Sequence, residues 1–383
     1  MTKRKAKTAA QKAQNLTPTW QMLCGDSKKV LEQFPDNHFD SVVTDPPYSL
    51  SSETLDTQSV IKVMQSWLGN GSAQFTERGY GNEAWDVMPG PETWKQVYRV
   101  MKPGSYLAAF SASRTDDLLK MALRLSGFEV VDTIAYVYRN GFPKAVDIGR
   151  ALEKRLRTWG HQPPQSHNDS VRVQTELSGS SYVKSLKRQV KRPQTEQVVL
   201  EPSHELSQKW ADYHTHLKPS YQPIVIARKP HGGTTLDNIM VNGTGALNIG
   251  TCRLPRNDYT TAKGELGRYP ANVVGDLGGD NDNWFFNPYN VISNRPTQAD
   301  KDVYLPLGVV NDHITPKPIA LMEWLTRLVT PTGGKVLDPF TGSGSTGISA
   351  LHEGFEFVGV ELNAHYHEIA SLRLSNCETA MNG

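Results

Sequence analysis

The stretch KVLDPFTGSGSTG (Lys335 to Gly347) reads as a short apolar strand, a tight glycine turn and the start of a helix. Gly342, Gly344 and Gly347 fall at GxGxxG spacing, and Glu361 closes the next apolar run about 20 residues further on. Glycines at such a turn let the backbone approach a ligand closely. A carboxylate at the end of the following strand can bind the two hydroxyls of a ribose. The pattern therefore points to a nucleoside-bearing cofactor, and by itself leaves NAD and S-adenosylmethionine both open. A plain strand-to-helix turn is the simpler alternative, and it does not account for the acid.

Position in the chain decides the fold. A nucleotide-binding sheet needs several strands after this unit. Beyond Glu361 the sequence offers one helix, AHYHEIASLRLS, before Gly383. The missing strands are therefore expected from the N-terminal half. The expected fold is α/β and Rossmann-like but circularly permuted, with its first two strands written last. On this reading WQMLCGD (Trp20 to Asp26) supplies the third strand and HFDSVVTDPPY (His38 to Tyr48) the fourth. Asp26 then stands at a strand end facing an adenine, and Asp45 at the neighbouring strand end beside the glycine loop. A nicotinamide oxidoreductase needs the unpermuted order and has no role for DPPY.

The rest of the chain supports a parallel α/β sheet. SKKVLEQF, PETWKQVYRVMKPG, RTDDLLKMALRLSGF and PIALMEWLTRLV carry helical spacing, and Ser345 to His352 opens from the glycine loop. SYLAAFSA, EVVDTIAYVYRNGF, YQPIVIARKP and FEFVGVELN read as strands. Residues 50 to 92 and 231 to 311 read as irregular, dense in Gly, Asn, Ser and Pro. The expected organisation is a disordered basic tail at 1–17 and a catalytic half at 18–142. A polar, partly helical insertion at 143–219 follows, with a helix over Ala145 to Gly160. A returning strand at 220–230, a target-recognition region at 231–310 and a cofactor-binding half at 311–383 complete it.

Composition narrows the function. A net charge of +2 over 383 residues excludes a general polycation. Basic charge is instead local, in Lys3 to Lys12 and in SLKRQVKR (Ser185 to Arg192), where it could meet a polyanion or simply face solvent. Cys24, Cys252 and Cys377 form no CxxC pair, so neither a zinc site nor a disulfide framework is expected. No metal ligand set is assigned. No apolar run reaches a membrane span, and no secretion signal is visible. A cytoplasmic protein without membrane contact is expected.

DPPY carries the chemistry. An amino group on an aromatic base, or a side-chain amide, has a delocalised lone pair and is a poor nucleophile. A carboxylate accepting one N–H and a backbone carbonyl accepting the other draw the nitrogen toward tetrahedral geometry. Asp45 offers the carboxylate and Pro46 the carbonyl. Pro46 and Pro47 fix the backbone at their own positions, and Pro46 restricts Asp45. Acceptors held in this way need little reorganisation. Tyr48 offers a face for a planar group.

DPPY first, HITPKP (His313 to Pro318) between, and DPFTGSGS last resemble the β-order amino-group DNA methyltransferases, which act on adenine N6 or cytosine N4. YQPIVIARKP and NGTGALNIG resemble a subgroup common among bacteriophage and prophage methylases. The resemblance implies S-adenosyl-L-methionine as cofactor and duplex DNA as substrate, with the target base flipped from the helix. It implies a restriction-modification context in a bacterial or phage-infected cell, and leaves a homodimer and a separate restriction endonuclease open. It places Asp45, Pro46, Pro47 and Tyr48 in catalysis. Asp26 is implied at the adenine, and His313, Thr315 and Lys317 near the methionine part. Asp338, Pro339, Phe340, Gly342, Gly344 and Thr346 are implied in the cofactor loop, with Glu361 at the ribose and Leu362 and Asn363 also binding the cofactor. Tyr48, Trp85, Tyr136 and Tyr138 are available for base stacking, although the last two could equally be core. The Asp of DPPY favours adenine N6 by family habit. Cytosine N4 is the alternative, and a protein-glutamine methyltransferase or an oxidoreductase are the more distant rivals.

Overall fold

The computed structural model describes residues 19–49, 56–75, 86–138, 145–158, 202–253, 269–275 and 296–382. The basic tail, the SLKRQVKR run and Trp85 lie outside the described residues. In chain order the elements are β1 (Trp20–Cys24), α1 (Ser27–Val30), β2 (Phe39–Thr44), α2 (Thr57–Leu68), α3 (Pro91–Val100), β3 (Met101–Phe110), α4 (Asp116–Leu125), β4 (Glu129–Val137), α5 (Ile148–Thr158) and α6 (Glu205–Lys209). They continue with β5 (Tyr221–Arg228), α7 (Thr235–Asn242), β6 (Val273–Gly275), α8 (Gln298–Lys301), α9 (Ile319–Val329), β7 (Lys335–Asp338), α10 (Ser345–His352), β8 (Glu356–Glu361) and α11 (Ala364–Asn382). No helix among the described residues is long and apolar enough to cross a membrane.

The chain divides into two units, one of them made of Met1–Gly79, Ala84–Arg139 and Tyr221–Gly383. It holds an eight-stranded sheet in the order β1-β8-β7-β2-β3-β5-β4-β6. β1, β8, β7, β2 and β3 run parallel, and β5 lies antiparallel between β3 and β4. This is the permuted Rossmann-like order. The first two strands of the fold, β7 and β8, come last in the chain, and β1 pairs β8 from Trp20↔Phe357 to Cys24↔Glu361.

Both faces of the sheet are covered, so the central strands are buried on both sides rather than alternating between core and solvent. All six residues of β2 are buried. Successive side chains go to opposite faces. Val43, Ala108, Phe110, Ile224, Ile226, Val336 and Phe357 pack with Leu321, Leu325, Ile348 and Leu374 of α9, α10 and α11. Val42, Leu107, Ala109, Val225, Leu337 and Val358 pack on the other side, with Trp94 and Val97 of α3 and Leu119 and Leu123 of α4. α3 begins with Pro91 at its first turn, and α4 with Asp116 and Asp117 at its positive end.

This layering creates the site. The connection leaving β7 runs through α10 on one face, and the one leaving β2 runs through α3 on the other. β7 and β2 are neighbours, paired at Ser41↔Val336 and Val42↔Leu337. The crevice at their carboxyl ends is a topological switch point, where open α/β sheets bind ligands.

The structure corrects three readings. Residues 57 to 68, read as loop, form α2, with Val63 and Trp67 buried at helical spacing. Within 231 to 311, read as irregular, stand α7, α8 and the parallel edge strand β6, which pairs β4. Met101 to Gly104, read as the close of the helix that starts at Pro91, belong to β3.

The second unit comprises Tyr80–Glu83 and Asn140–Ser220. Its described part, residues 145–158 and 202–220, contains α5 and α6. The buried Glu153 carboxylate accepts from the Ser203 hydroxyl at 2.6 Å and from the Ser203 and His204 amides at 2.9 and 3.1 Å. These bonds hold its carboxyl well below the usual range, the Ser203 hydroxyl contributing most.

Gly347 tests the packing of α10. In an open helix Gly→Ala gains roughly 0.5–1 kcal/mol. Here a Cβ would stand 2.6 Å from Phe357 Cε1 and 2.7 Å from Leu374 Cδ2. Overpacking costs about 1–3 kcal/mol and should win. Gly347→Ala is expected to melt at a lower temperature than the wild type; a higher melting temperature would show that this contact yields freely.

Candidate functional site

Two loops meet at the switch point. The first leaves β2 as Asp45-Pro46-Pro47-Tyr48-Ser49. Asp86, 3% exposed, pins it through Oδ1, which accepts the amides of Tyr48 at 3.0 Å and Ser49 at 3.2 Å. The Ser49 hydroxyl in turn accepts from the Met88 amide at 2.7 Å. The two prolines, which offer no amide, are thus followed directly by two amides tied to one carboxylate.

Asp45 is held from both sides. Its Oδ1 accepts the Tyr48 hydroxyl and its Oδ2 accepts the Lys317 ammonium. Lys317, 8% exposed, sits just ahead of α9 with its ammonium 4.9 Å from the Phe110 ring centre. It also lies 3.4 Å from the Tyr48 hydroxyl, which accepts from Gln222 Nε2 at 2.6 Å. Burial, then the charge of Asp45, pushes the Tyr48 phenol well above its ordinary value, so it keeps its hydrogen.

The second loop leaves β7. Asp338 Oδ1 accepts the Thr44 hydroxyl at 2.6 Å and the Phe340 amide at 3.0 Å, and Oδ2 accepts the Thr346 hydroxyl at 2.5 Å. Burial pushes this carboxyl up to about 7, against those three bonds. Thr44 directly precedes Asp45, so one buried acid ties the end of β2 to the first turn of α10. Pro339 O accepts the Ser27 hydroxyl, which fastens the loop to α1. The buried Arg373 donates to Ser343 O at 2.6 Å and to Val303 O at 3.1 Å, and burial lowers it to about 10.

Glu361 ends β8 under the glycine loop. Its Oε2 accepts the Gly342 amide at 2.7 Å and its Oε1 the Asn363 amide at 2.8 Å. Burial raises its pKa. A carboxylate has about four lone-pair sites, so each oxygen keeps capacity for a ribose hydroxyl. Leu362 beside it is exposed. Gly342 has φ +55°, and a Cβ there would stand 2.9 Å from His313 Nε2. A side chain would fill the space where backbone meets ring, so these residues fit a nucleoside-bearing cofactor.

His313 lies against the second loop, its ring beside Gly342. Its Nδ1 accepts the Thr315 amide at 3.3 Å, its carbonyl accepts Lys301 Nζ at 3.0 Å, and its ring meets Tyr366 at 4.6 Å. Burial, then the Lys317 and Lys301 charges, push it down to about 3, in keeping with an Nδ1 that accepts.

The structure therefore gathers Asp45, Pro46, Pro47, Tyr48 and Lys317 into one cluster. Asp338, Pro339, Phe340, Gly342, Gly344, Thr346, Glu361, Leu362 and Asn363 lie in or beside the other loop. Asp26 follows β1, next to Gly25, whose amide donates to Glu361 O at 2.9 Å. Its carboxylate caps α1 by accepting the Lys28 amide at 3.0 Å. Tyr136 and Tyr138 lie in the core, ring centres 5.5 Å apart. Thr44, Asp86, Gln222 and Arg373 were not anticipated from sequence. Thr44 and Gln222 stand in quoted motifs, while nothing local marks Asp86 or Arg373.

The N6/N4 DNA methylase family model matches residues 39–372. The Type II methyltransferase M.HindIII of Haemophilus influenzae is 23% identical over 379 residues, 92% of this chain and 95% of that protein. The DNA adenine methyltransferase YhdJ of Escherichia coli is 40% identical over 63 residues, 16% of this chain and 21% of that protein. Among solved structures, PvuII DNA methyltransferase (cytosine-N4-specific) aligns at a TM-score of 0.47 and 13% identity, covering 96% of this chain and 95% of that one. The family match takes in both strands of the switch point and both loops that leave them, and this chain belongs to the N6/N4 DNA methylase family.

Proposed function

We propose that the protein transfers a methyl group from S-adenosylmethionine to the N6 amino group of adenine in duplex DNA. One observation carries the reading: Asp45 stands at the end of β2, beside the glycine loop of β7, with its carboxylate already hydrogen-bonded. The adenine choice is the finer part. It rests on Asp as the first residue of DPPY and on the local likeness to a DNA adenine methyltransferase.

When bound, S-adenosylmethionine supplies an electrophilic methyl on a sulfonium. Glu361 would take the ribose hydroxyls, Asp26 would meet the adenine, Leu362 and Asn363 would lie beside the cofactor, and the Gly342–Gly344 turn would let the backbone come close. Asp45 and the Pro46 carbonyl accept the two N–H groups of the target amine and direct its lone pair. Methylation leaves that nitrogen with one hydrogen too many, and Asp45 is the acceptor within reach of it. Tyr48 stacks on the extruded base. Positioning and fixed acceptors do the work. Duplex DNA is the proposed partner, with base contacts from 231–310.

Incubation with methyl-labelled S-adenosylmethionine and duplex DNA, followed by digestion to nucleosides, should place the label in N6-methyladenosine. Label in N4-methylcytidine would move the assignment to cytosine, and none at all would refute the activity. Asp45→Ala should cut transfer by roughly 10²–10³-fold or more, the scale for removing one preorganised polar group. Cofactor affinity, measured by calorimetry, should change little. Full turnover in Asp45→Ala would remove Asp45 from catalysis.

A further inference from the structure

YQPIVIARKP is the motif whose role the reaction leaves open. It forms β5, which runs antiparallel to β3. The start of β5 therefore lies at the carboxyl ends of its parallel neighbours, on the edge that carries the site. Gln222 is the second residue of β5, with its backbone opposite Tyr136. Its side chain reaches the Tyr48 hydroxyl, Nε2 to oxygen 2.6 Å.

A phenol has one hydrogen to give. The Tyr48 oxygen receives N–H from Gln222 and faces the Lys317 ammonium at 3.4 Å. Neither an amide N–H nor an ammonium can accept, so among the described residues the phenol hydrogen has one acceptor left, Asp45 Oδ1. We infer that Gln222 is a positioning residue for methyl transfer: it fixes the direction of the chain Gln222 to Tyr48 to Asp45, so that the Tyr48 hydrogen always points at the catalytic carboxylate. With Oδ1 and Oδ2 each oriented by one donor, the remaining lone pairs of Asp45 face the amino group in one fixed arrangement. The inference rests on the proposed methyltransferase reading of Asp45.

The direction can be reversed at almost constant shape. An ionised glutamate at 222 would accept the Tyr48 hydrogen and take it from Asp45. A protonated one could donate, as the amide does. The titratable groups facing Tyr48 are Asp45 on its own loop, Asp86 ahead of α3, Lys317 ahead of α9 and Tyr138 after β4. The wild type contains all four, so its own profile is the baseline for the variant.

The experiment measures kcat and KM for DNA against pH in wild type and Gln222→Glu, with melting temperature and cofactor affinity as controls. At alkaline pH, Gln222→Glu should lose about tenfold or more in kcat, the scale of one hydrogen bond to a charged group. KM for DNA should stay nearly constant. Activity relative to wild type should recover as pH falls and the new carboxyl protonates. Gln222→Met, which can neither donate nor reverse, should show the loss without recovery. The inference fails if Gln222→Glu follows the wild-type profile. It also fails if kcat is kept while KM rises, which would mark Gln222 as a direct DNA contact. If Gln222→Glu does not fold, a wild-type kcat in Gln222→Met overturns the inference. An inactive wild type would instead count against the methyltransferase reading itself.

Discussion

The side-by-side pairing of β2 with β7 is the constraint on which the rest depends. It joins segments almost 300 residues apart, Ser41↔Val336 and Val42↔Leu337. Just beyond the paired residues the buried Asp338 carboxyl accepts the Thr44 hydroxyl at 2.6 Å and the Thr346 hydroxyl at 2.5 Å. A carboxyl in such a place is costly unless its hydrogen bonds are made. Those bonds set the distance between the end of β2 and the first turn of α10. Asp45 follows Thr44, and the glycine loop follows Asp338. One buried group thus ties both halves of the site together.

Around that junction the polar groups divide by task. Asp86, Ser27 and Arg373 act on backbone amides and carbonyls of the loops, and so hold their course. Lys317, Tyr48 and Gln222 act on the carboxylate of Asp45, directly or through one another. Glu361 does both, since it accepts the Gly342 amide and retains capacity for a ligand. The loop-holding groups are mostly buried, whereas Asp45 and Glu361 lie at the crevice. A rigid frame with open acceptors at its edge suits a reaction that depends on alignment rather than on a strong base.

Much of this was legible in the sequence because two of its features are local. GSGSTG after an apolar strand, with Glu361 one unit later, marks a nucleoside site, and DPPY marks a stiffened strand end. Their reversed order along the chain then requires the permutation, which the pairing of β1 with β8 and of β2 with β7 displays. What stayed hidden depends on contacts distant in sequence. Gln222 lies 174 positions from Tyr48, and nothing in YQPIVIARKP shows that β5 enters the sheet antiparallel. Arg373 looks like any helix-surface arginine until Ser343 O is seen against it. α2 was missed for a different reason. Its Val63 and Trp67 spacing was present in the sequence, but the Ser, Gly and Asn around it obscured the period.

The central claim is that the amino-group acceptor and the nucleoside site share one crevice at the β2–β7 junction. A crystal structure with S-adenosylmethionine bound tests it most directly. The ribose hydroxyls are expected on Glu361, with the sulfonium methyl turned toward Asp45 and the face of Tyr48. Density for the cofactor away from Glu361, or a methyl directed away from Asp45, would contradict the account.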